Sequence, residues 1–371
     1  MEDLKNKDVR RILRLRNVQN LLDILLQKGE VARVEISELT GLTKTTITSI
    51  VKDLIEKGII EEKAPVLNKI GIGRSVTPLR IRKNAVHVVG VKLARHHISA
   101  LLMDAHGDII YKRDGPSYKD VPPQDIINML FQVIDDILET NREIDINAIG
   151  IGMPGPLDTA KGIVMSPPKF YGWKNVPLAS IVGNHYKIPT WIENDANCAA
   201  LAEKWYGEGK HLDTFLYILL NEGIGGGIIA NGKIYKSPIS YEVEIGHAVV
   251  RYREEVGFLE DFCGFEGVDD PITLKDTERI SEIGELIGEV LVSISNIIGP
   301  EKVFIGGKMA ILGEDILVPI KERFYKYSFG RKIGIDIPIE VSRIFKDAIS
   351  IGAATHAMRK YIIRKIAGDI P

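Results

Sequence analysis

Three groups of residues in this 371-residue chain have types and spacings that could do chemistry. The first is NEGIGGGII at 221–229, where Gly223, Gly225, Gly226 and Gly227 fall within five positions between apolar stretches. Backbone without side chains can approach a phosphate closely, although the same composition also serves an ordinary tight turn. The second is ENDANCAALAE at 193–203, where Asn194 ends an expected strand and Asp195 stands at the mouth of the next helix. A carboxylate so placed can accept hydrogen bonds from a polyol, or can simply cap the helix. The third is EIGH at 244–247, whose Glu244 and His247, three residues apart, read on their own as a surface pair.

These groups need a scaffold, and the chain carries one twice. VHVVGVKLARHHISALLMDAHGDIIYKR at 86–113 reads as three strands joined by turns, followed by an amphipathic helix over 124–141 and the buried strand AIGIGMPG. FLYILLNEGIGGGIIANGKIY at 215–235 repeats the theme, with a long helix near 279–298 and the buried strand VFIGG behind it. Two copies of one α/β unit predict a duplicated fold with a cleft between the halves, each half offering its first hairpin turn to a nucleotide phosphate tail.

Ahead of the repeat lies a module of different character. Residues 1–83 hold 17 Lys+Arg against 11 Asp+Glu, a local charge of +6, so the remainder carries −8 of the chain's net −2. Val18, Leu21, Leu22 and Leu25 form one stripe of a helix over 17–28, closed by Gly29. A short helix to Gly41 and a tight turn follow, and Thr43 can cap a second helix over 44–57. Ile47, Ile50, Val51 and Leu54 mark its buried face. Its other face presents Lys44, Thr45, Thr48, Ser49 and Lys52, short hydroxyls and lysines suited to phosphates and base edges in a major groove. The runs GIIEE and VTPLRIR then flank GIGRS, which puts Arg74 at the tip of a wing fit for a minor groove. A winged helix-turn-helix contacting double-stranded DNA is the expectation, against a helical hairpin and ribbon used for protein contacts.

Composition narrows the remaining classes. The charged start MEDLKNKDVRR does not fit a secretory signal and no apolar run reaches membrane-spanning length, so a cytoplasmic protein with no membrane partner is expected. Cys198 and Cys263 are the only cysteines, which excludes a disulfide framework and an all-cysteine metal cage.

PGPLD at 154–158, MSPPKFYGWKNVPL at 165–178, ENDANCAALAE, GIGGGII, EIGH and IGGKMA at 305–310 together resemble the ROK family of repressors, open reading frames and sugar kinases, and stand in that family's order. The resemblance, with the winged helix, covers nearly the whole chain. It implies an α/β protein, an N-terminal winged helix-turn-helix followed by a duplicated actin-like, ribonuclease-H-like, two-lobed sugar-kinase fold. The expected divisions are 1–83 for DNA, 84–205 for the first lobe completed by a C-terminal helix over 347–371, and 206–346 for the second lobe. The resemblance also implies a sugar site built from Gly155, Asn194, Asp195, Glu244, His247 and Asp270, with Asp195 the proton-accepting base in those members that are kinases.

Two departures from the family pattern bear on function. Kinases of the family carry Asp-x-Gly-Gly-Thr in the first hairpin, whereas this chain has Lys92-Leu93-Ala94-Arg95-His96. The metal-organising aspartate and the glycines are gone, leaving Gly223, Gly225, Gly226 and Gly227 as a degenerate phosphate loop, although Lys92 keeps a charge that could bind an anion directly. The family's zinc run, with three further cysteines after the EIGH histidine, is reduced here to DFCGFEGVDD and Cys263 alone. The expectation is therefore a sugar-responsive transcriptional repressor, a homodimer or homotetramer whose operator binding is modulated by a monosaccharide. It is expected to be no enzyme, with no cofactor and no zinc. The alternative is an ATP- and magnesium-dependent hexose or N-acetylhexosamine kinase with an appended DNA-binding domain.

Overall fold

The computed structural model describes residues 2–65, 75–237, 243–264 and 276–369, with side chains from residue 9 onward. Helix α1 (Glu2–Lys28) turns Val18, Leu21, Leu22 and Leu25 inward. It begins well before the stripe that marks it in sequence, because residues 2–16 are helix formers free of Gly and Pro, while the stripe starts only where burial starts. Strand β1 (Val31–Ala32) leads into α2 (Arg33–Thr40), which stops at Gly41 in the left-handed region, φ 68°. Helix α3 (Lys44–Glu56) starts at Thr43, whose hydroxyl accepts the Thr46 N–H at 3.2 Å. Strands β2 (Ile60–Glu62) and β3 (Pro78–Ile81) pair antiparallel and complete a three-stranded sheet with β1. The expected wing tip with Arg74 lies outside the described residues.

The body holds two sheets of the same topology. In the first, β4 (Val88–Leu93), β5 (His97–Met103) and β6 (Ile109–Ser117) form an antiparallel meander. After α4 (Pro123–Thr140), β7 (Ala148–Met153) adds parallel to β4. A small hairpin of β8 (Leu157–Asp158) and β9 (Ile163–Val164), then α5 (Leu178–Tyr186), lead to β10 (Thr190–Asn194), parallel to β7. Helix α6 (Asp195–Tyr206) follows directly.

The second sheet repeats this with β11 (Phe215–Leu220), β12 (Ile224–Ala230) and β13 (Lys233–Ile234). A hairpin of β14 (Val249–Tyr252) and β15 (Glu255–Phe258), the short α7 (Leu259–Cys263) and the long α8 (Thr277–Ile298) intervene before β16 (Lys302–Gly306), parallel to β11. Helices α9 (Glu314–Tyr327) and α10 (Phe329–Lys332) lead to β17 (Ile339–Val341), parallel to β16. The orders β6-β5-β4-β7-β10 and β13-β12-β11-β16-β17 match strand for strand, which is the duplication seen in the sequence.

The final helix, α11 (Ala348–Ala367), lies on the first sheet. Its backbone comes so close that a Cβ on Gly150 would stand 2.0 Å from the Ala353 carbonyl oxygen. Buried side chains of α1 to α3, the first sheet, α6, α11 and one face of the second sheet (Phe215, Tyr217, Phe304) form one continuous apolar cluster, so the N-terminal module shares a core with the body.

Candidate functional site

A cleft runs between the lobes where the strand ends of both sheets face each other. The first lobe lines it with Arg95 from the β4–β5 turn, Gly155 after β7, and Asn194 and Asp195 at the β10–α6 junction. The second lobe contributes Asn221, Glu222 and Gly223 from the β11–β12 turn, then Glu244, His247 and Glu260. Five sequence candidates, Gly155, Asn194, Asp195, Glu244 and His247, therefore meet in one place. Asp270 lies outside the described residues.

The β10–α6 junction separates two roles that the sequence leaves merged. Asn194 caps α6, its Oδ1 accepting the Asn197 N–H at 3.1 Å. Asp195 is the first helical residue, and one of its oxygens takes the Ala196 N–H at 2.8 Å. Burial raises the Asp195 carboxyl to about 6, against the pull of the Ala196 N–H and the Lys92 charge. It is thus a carboxylate at neutral pH that can be protonated within the physiological range.

Opposite it, His247 Nδ1 lies 3.3 Å from Glu244 Oε2 and Nε2 lies 3.9 Å from Glu260 Oε1, with the ring 5.1 Å from that of Phe258. Glu260 has no motif in the sequence. The β15–α7 turn brings it to the cleft, which no local pattern could have announced.

The glycine run is not a loop. Gly225, Gly226 and Gly227 lie inside β12, paired with Leu219, Ile218 and Tyr217 of β11. A Cβ on Gly227 would stand 2.4 Å from the Ala196 carbonyl oxygen, and one on Gly226 would stand 2.3 Å from Ile245 Cδ1. Their missing side chains admit α6 on one face of the strand and Ile245 on the other. The turn proper is Asn221–Gly223, and it is not bare: the Glu222 carboxylate forms an ion pair with Lys308, while Asn221 Oδ1 accepts the Lys308 N–H at 2.8 Å. Burial alone would raise the Glu222 carboxyl, but the Lys308 hydrogen bond and charge outweigh it and hold it below the usual range. A phosphate entering this turn meets a Glu222 carboxylate already paired with Lys308, and Lys92 stands where the family's kinases carry the aspartate that organises magnesium. The residues present do not fit a magnesium–nucleotide tail.

On the N-terminal module, Lys44, Thr45, Thr48, Ser49 and Lys52 are all exposed, while Ile47, Ile50, Val51 and Leu54 are buried. Thr48 donates its hydroxyl to the Lys44 carbonyl at 2.8 Å, which leaves its oxygen as an acceptor only, and Lys52 lies 3.7 Å from Glu56. Cys263 turns into the second-lobe core, its thiol 3.9 Å from the Ile283 carbonyl oxygen and pushed up to about 12 by burial. Among the described residues no three His, Cys, Asp or Glu side chains gather into a metal-binding group, and no helix is long and apolar enough to cross a membrane.

A ROK family model matches residues 88–271, and a winged helix-turn-helix DNA-binding model matches residues 14–61. The chain belongs to the ROK family. The xylose repressor of Caldicellulosiruptor bescii is 27% identical over 90% of this ROK chain and 92% of its own. The glucokinase of Halalkalibacterium halodurans is 26% identical over 71% of this chain and 92% of its own. Among solved structures, a ROK family transcriptional regulator described as a homolog of the E. coli Mlc protein superposes with a TM-score of 0.78, at 20% identity, over 96% of this chain and all of that one. This ROK chain therefore shares the regulators' architecture from end to end, whereas the glucokinase match covers a smaller part of it.

Proposed function

We propose that this protein is a sugar-responsive transcriptional repressor of the cytoplasm, holding operator DNA with its N-terminal module and sensing a monosaccharide in the interlobe cleft. The observation that carries this reading is the contrast within one cleft. Hydrogen-bonding groups suited to a polyol converge from both lobes, while the turn that would hold nucleotide phosphates carries the Glu222–Lys308 ion pair. Asn194 and Asp195 belong to one lobe and Glu244 and His247 to the other. A sugar bridging them favours a closed arrangement of the lobes, by as much as its affinity for closed and open differs.

Helix α1 is held by both lobes, which gives closure a route to the DNA-binding module. Arg359 of α11 grips Asp23, and Lys233 of β13 donates to Asn20 Oδ1 at 3.3 Å. Within the body, Lys236 from the second lobe pairs at 2.5 Å with Glu193, which directly precedes the two sugar-facing residues of the first. Sugar binding then lowers operator affinity by moving α1 relative to the lobes. A two-fold assembly, homodimer or homotetramer, implies a palindromic operator.

A thermal-shift screen against a monosaccharide panel, with and without Mg-ATP, tests this reading. Xylose is the first sugar to try, given the name of the Caldicellulosiruptor relative. Stabilisation by a sugar alone is expected. The rival reading, a kinase with an appended DNA-binding domain, is favoured by one observation, the Asp195 carboxyl raised to about 6 where a general base would stand. Stabilisation by Mg-ATP, with turnover of the bound sugar, would establish that rival.

A further inference from the structure

Helix α1 runs beyond the part of it that the fold needs. Its first buried residue is Val18, yet ordered helix continues upstream, with Val9 52%, Ile12 64% and Leu13 51% exposed. That extension does not project into empty space. Arg10, Leu13 and Arg14 of α1 line a single groove together with Thr45, Ser49 and Ile50 of α3, the helix whose hydroxyl face is the proposed reader of DNA. The basic rim of the groove is thus continuous with that face.

Two of the arginines are held in position. Arg14 forms an ion pair with Asp53 of α3, and Arg11 pairs with Asp369 at 2.6 Å, behind the C-terminal helix. Arg10 is exposed and makes no ion pair with another described side chain. Arg10 and Arg14 stand one turn apart, about 6 Å along the axis, so both guanidinium groups point along one edge of the groove. A guanidinium offers several donors, so Arg14 can keep Asp53 and still bind an oxygen.

We infer that the N-terminal extension of α1 is a second DNA contact, with Arg10 and Arg14 binding backbone phosphates beside the major groove that α3 enters. This rests on the DNA-binding reading above. The occupant is argued from charge complementarity and from continuity with α3. Leu13, half exposed beside these arginines, offers an apolar side chain against which deoxyribose can lie. Each phosphate neutralised by an arginine releases condensed counterions, and that gives the contact a distinctive signature.

The test is fluorescence anisotropy of the full-length protein on a labelled mixed-sequence 30-base-pair duplex between 50 and 200 mM salt, with sedimentation velocity alongside. Arg10→Gln/Arg14→Gln is expected to reduce the salt slope by about 2, roughly 0.9 for each lost phosphate contact, and to weaken binding of every duplex alike. Arg10→Lys should restore most of the slope lost at that position, since lysine keeps the charge. An unchanged slope in the double glutamine variant, alongside the expected slope loss in Lys44→Ala/Lys52→Ala, overturns this inference and leaves the repressor reading intact. A double variant that falls from oligomer to monomer overturns it too, because Val9, Ile12 and Leu13 would then be packing a second copy of the chain. If the wild-type protein binds no duplex at all, both readings fail together.

Discussion

Arg359 holds Asp23 with two nitrogens, Nη2 at 2.6 and 2.8 Å from the two carboxylate oxygens and Nε at 3.1 Å from one of them. The pair joins the last helix of the body to the first helix of the DNA-binding module, and both side chains are mostly buried, 16% and 14% exposed. Arg359 also stacks over Trp205 of α6, the helix that begins at Asp195. A short path of packed groups therefore leads from the cleft to α1.

Removing one partner of a mostly buried bidentate pair leaves the other charge unpaired, so Asp23→Asn should cost about 3 kcal/mol, measurable by urea unfolding. Its more specific effect is on coupling. The ratio of DNA affinities with and without saturating sugar should shrink toward one, while sugar affinity measured by calorimetry changes little. A variant whose DNA affinity responds to sugar as the wild type does would show that the signal takes another path.

The glycines of β12 give a second prediction. A methyl group at Gly227 would lie 2.4 Å from backbone, which cannot yield as a side chain does. Gly227→Ala should destabilise the protein by about 1–3 kcal/mol, with no nucleotide present, because β12 and α6 must move apart. Gly223→Ala should be milder, since its Cβ would meet side-chain ends alone, the Glu260 carboxylate at 3.2 Å and the Arg95 guanidinium at 3.8 Å. If Gly227→Ala instead melts normally, the close packing of β12 on α6 is not what the glycines are for.

That contrast marks the limit of what the sequence reveals. Period-two and period-3.6 patterns found the doubled sheet, the stripe of α3 and its Thr43 cap, because burial writes itself into alternation along one element. Backbone contacts between elements leave no such trace. Gly225–Gly227 have the composition of a phosphate loop, and only the position of α6 reveals them as strand residues. The upstream turns of α1 leave a weaker trace for the opposite reason: half exposed, Val9, Ile12 and Leu13 form no stripe that continues from Val18. Glu222 and Glu260 likewise become visible only once distant turns meet at the cleft.

The Glu222–Lys308 ion pair and Lys92 together predict the absence of kinase chemistry. No phosphorylation of glucose, N-acetylglucosamine, mannose, fructose or xylose is expected in a coupled Mg-ATP assay. Turnover above about 1 per second, an ordinary enzymatic rate, would reject the repressor-only reading.

For α3, lysines and hydroxyls should separate cleanly. Lys44→Ala and Lys52→Ala should weaken binding to all duplexes and flatten the salt dependence, each by a slope of about 0.9. Thr45→Ala and Ser49→Ala should leave nonspecific affinity alone and relax the preference for operator over random sequence by roughly 1–3 kcal/mol per lost base contact. Competition titrations with random duplex read the two effects apart, and equal losses on all sequences for all four variants would remove α3 from the role of reader.

The last prediction concerns Asp195 and pH. Its carboxyl rises from 3.8 to about 6 on folding because burial disfavours the charge. A carboxyl raised in this way contributes stability that is fully present below about 3.8 and is lost as pH rises through about 6, so its ionised form strains the fold at pH 7. Asn194 supplies the cap of α6, so Asp195→Asn leaves the helix start intact and should be at least as stable as wild type at pH 7. For sugar the sign reverses. The ionised carboxylate is a pure acceptor, and replacing it in a buried site costs on the order of 1.5–3 kcal/mol, roughly ten- to more than a hundredfold in affinity. Wild-type sugar affinity should therefore be full above about pH 6.5 and fall on acidification through 6, whereas Asp195→Asn should bind weakly at every pH with no step near 6. Operator affinity without sugar should be the same for both. Calorimetric titrations at pH 5, 6, 7 and 8 decide the matter: a variant that binds sugar as tightly as wild type at pH 7 would remove Asp195 from the sugar site and leave it a partly buried carboxyl at the head of a helix.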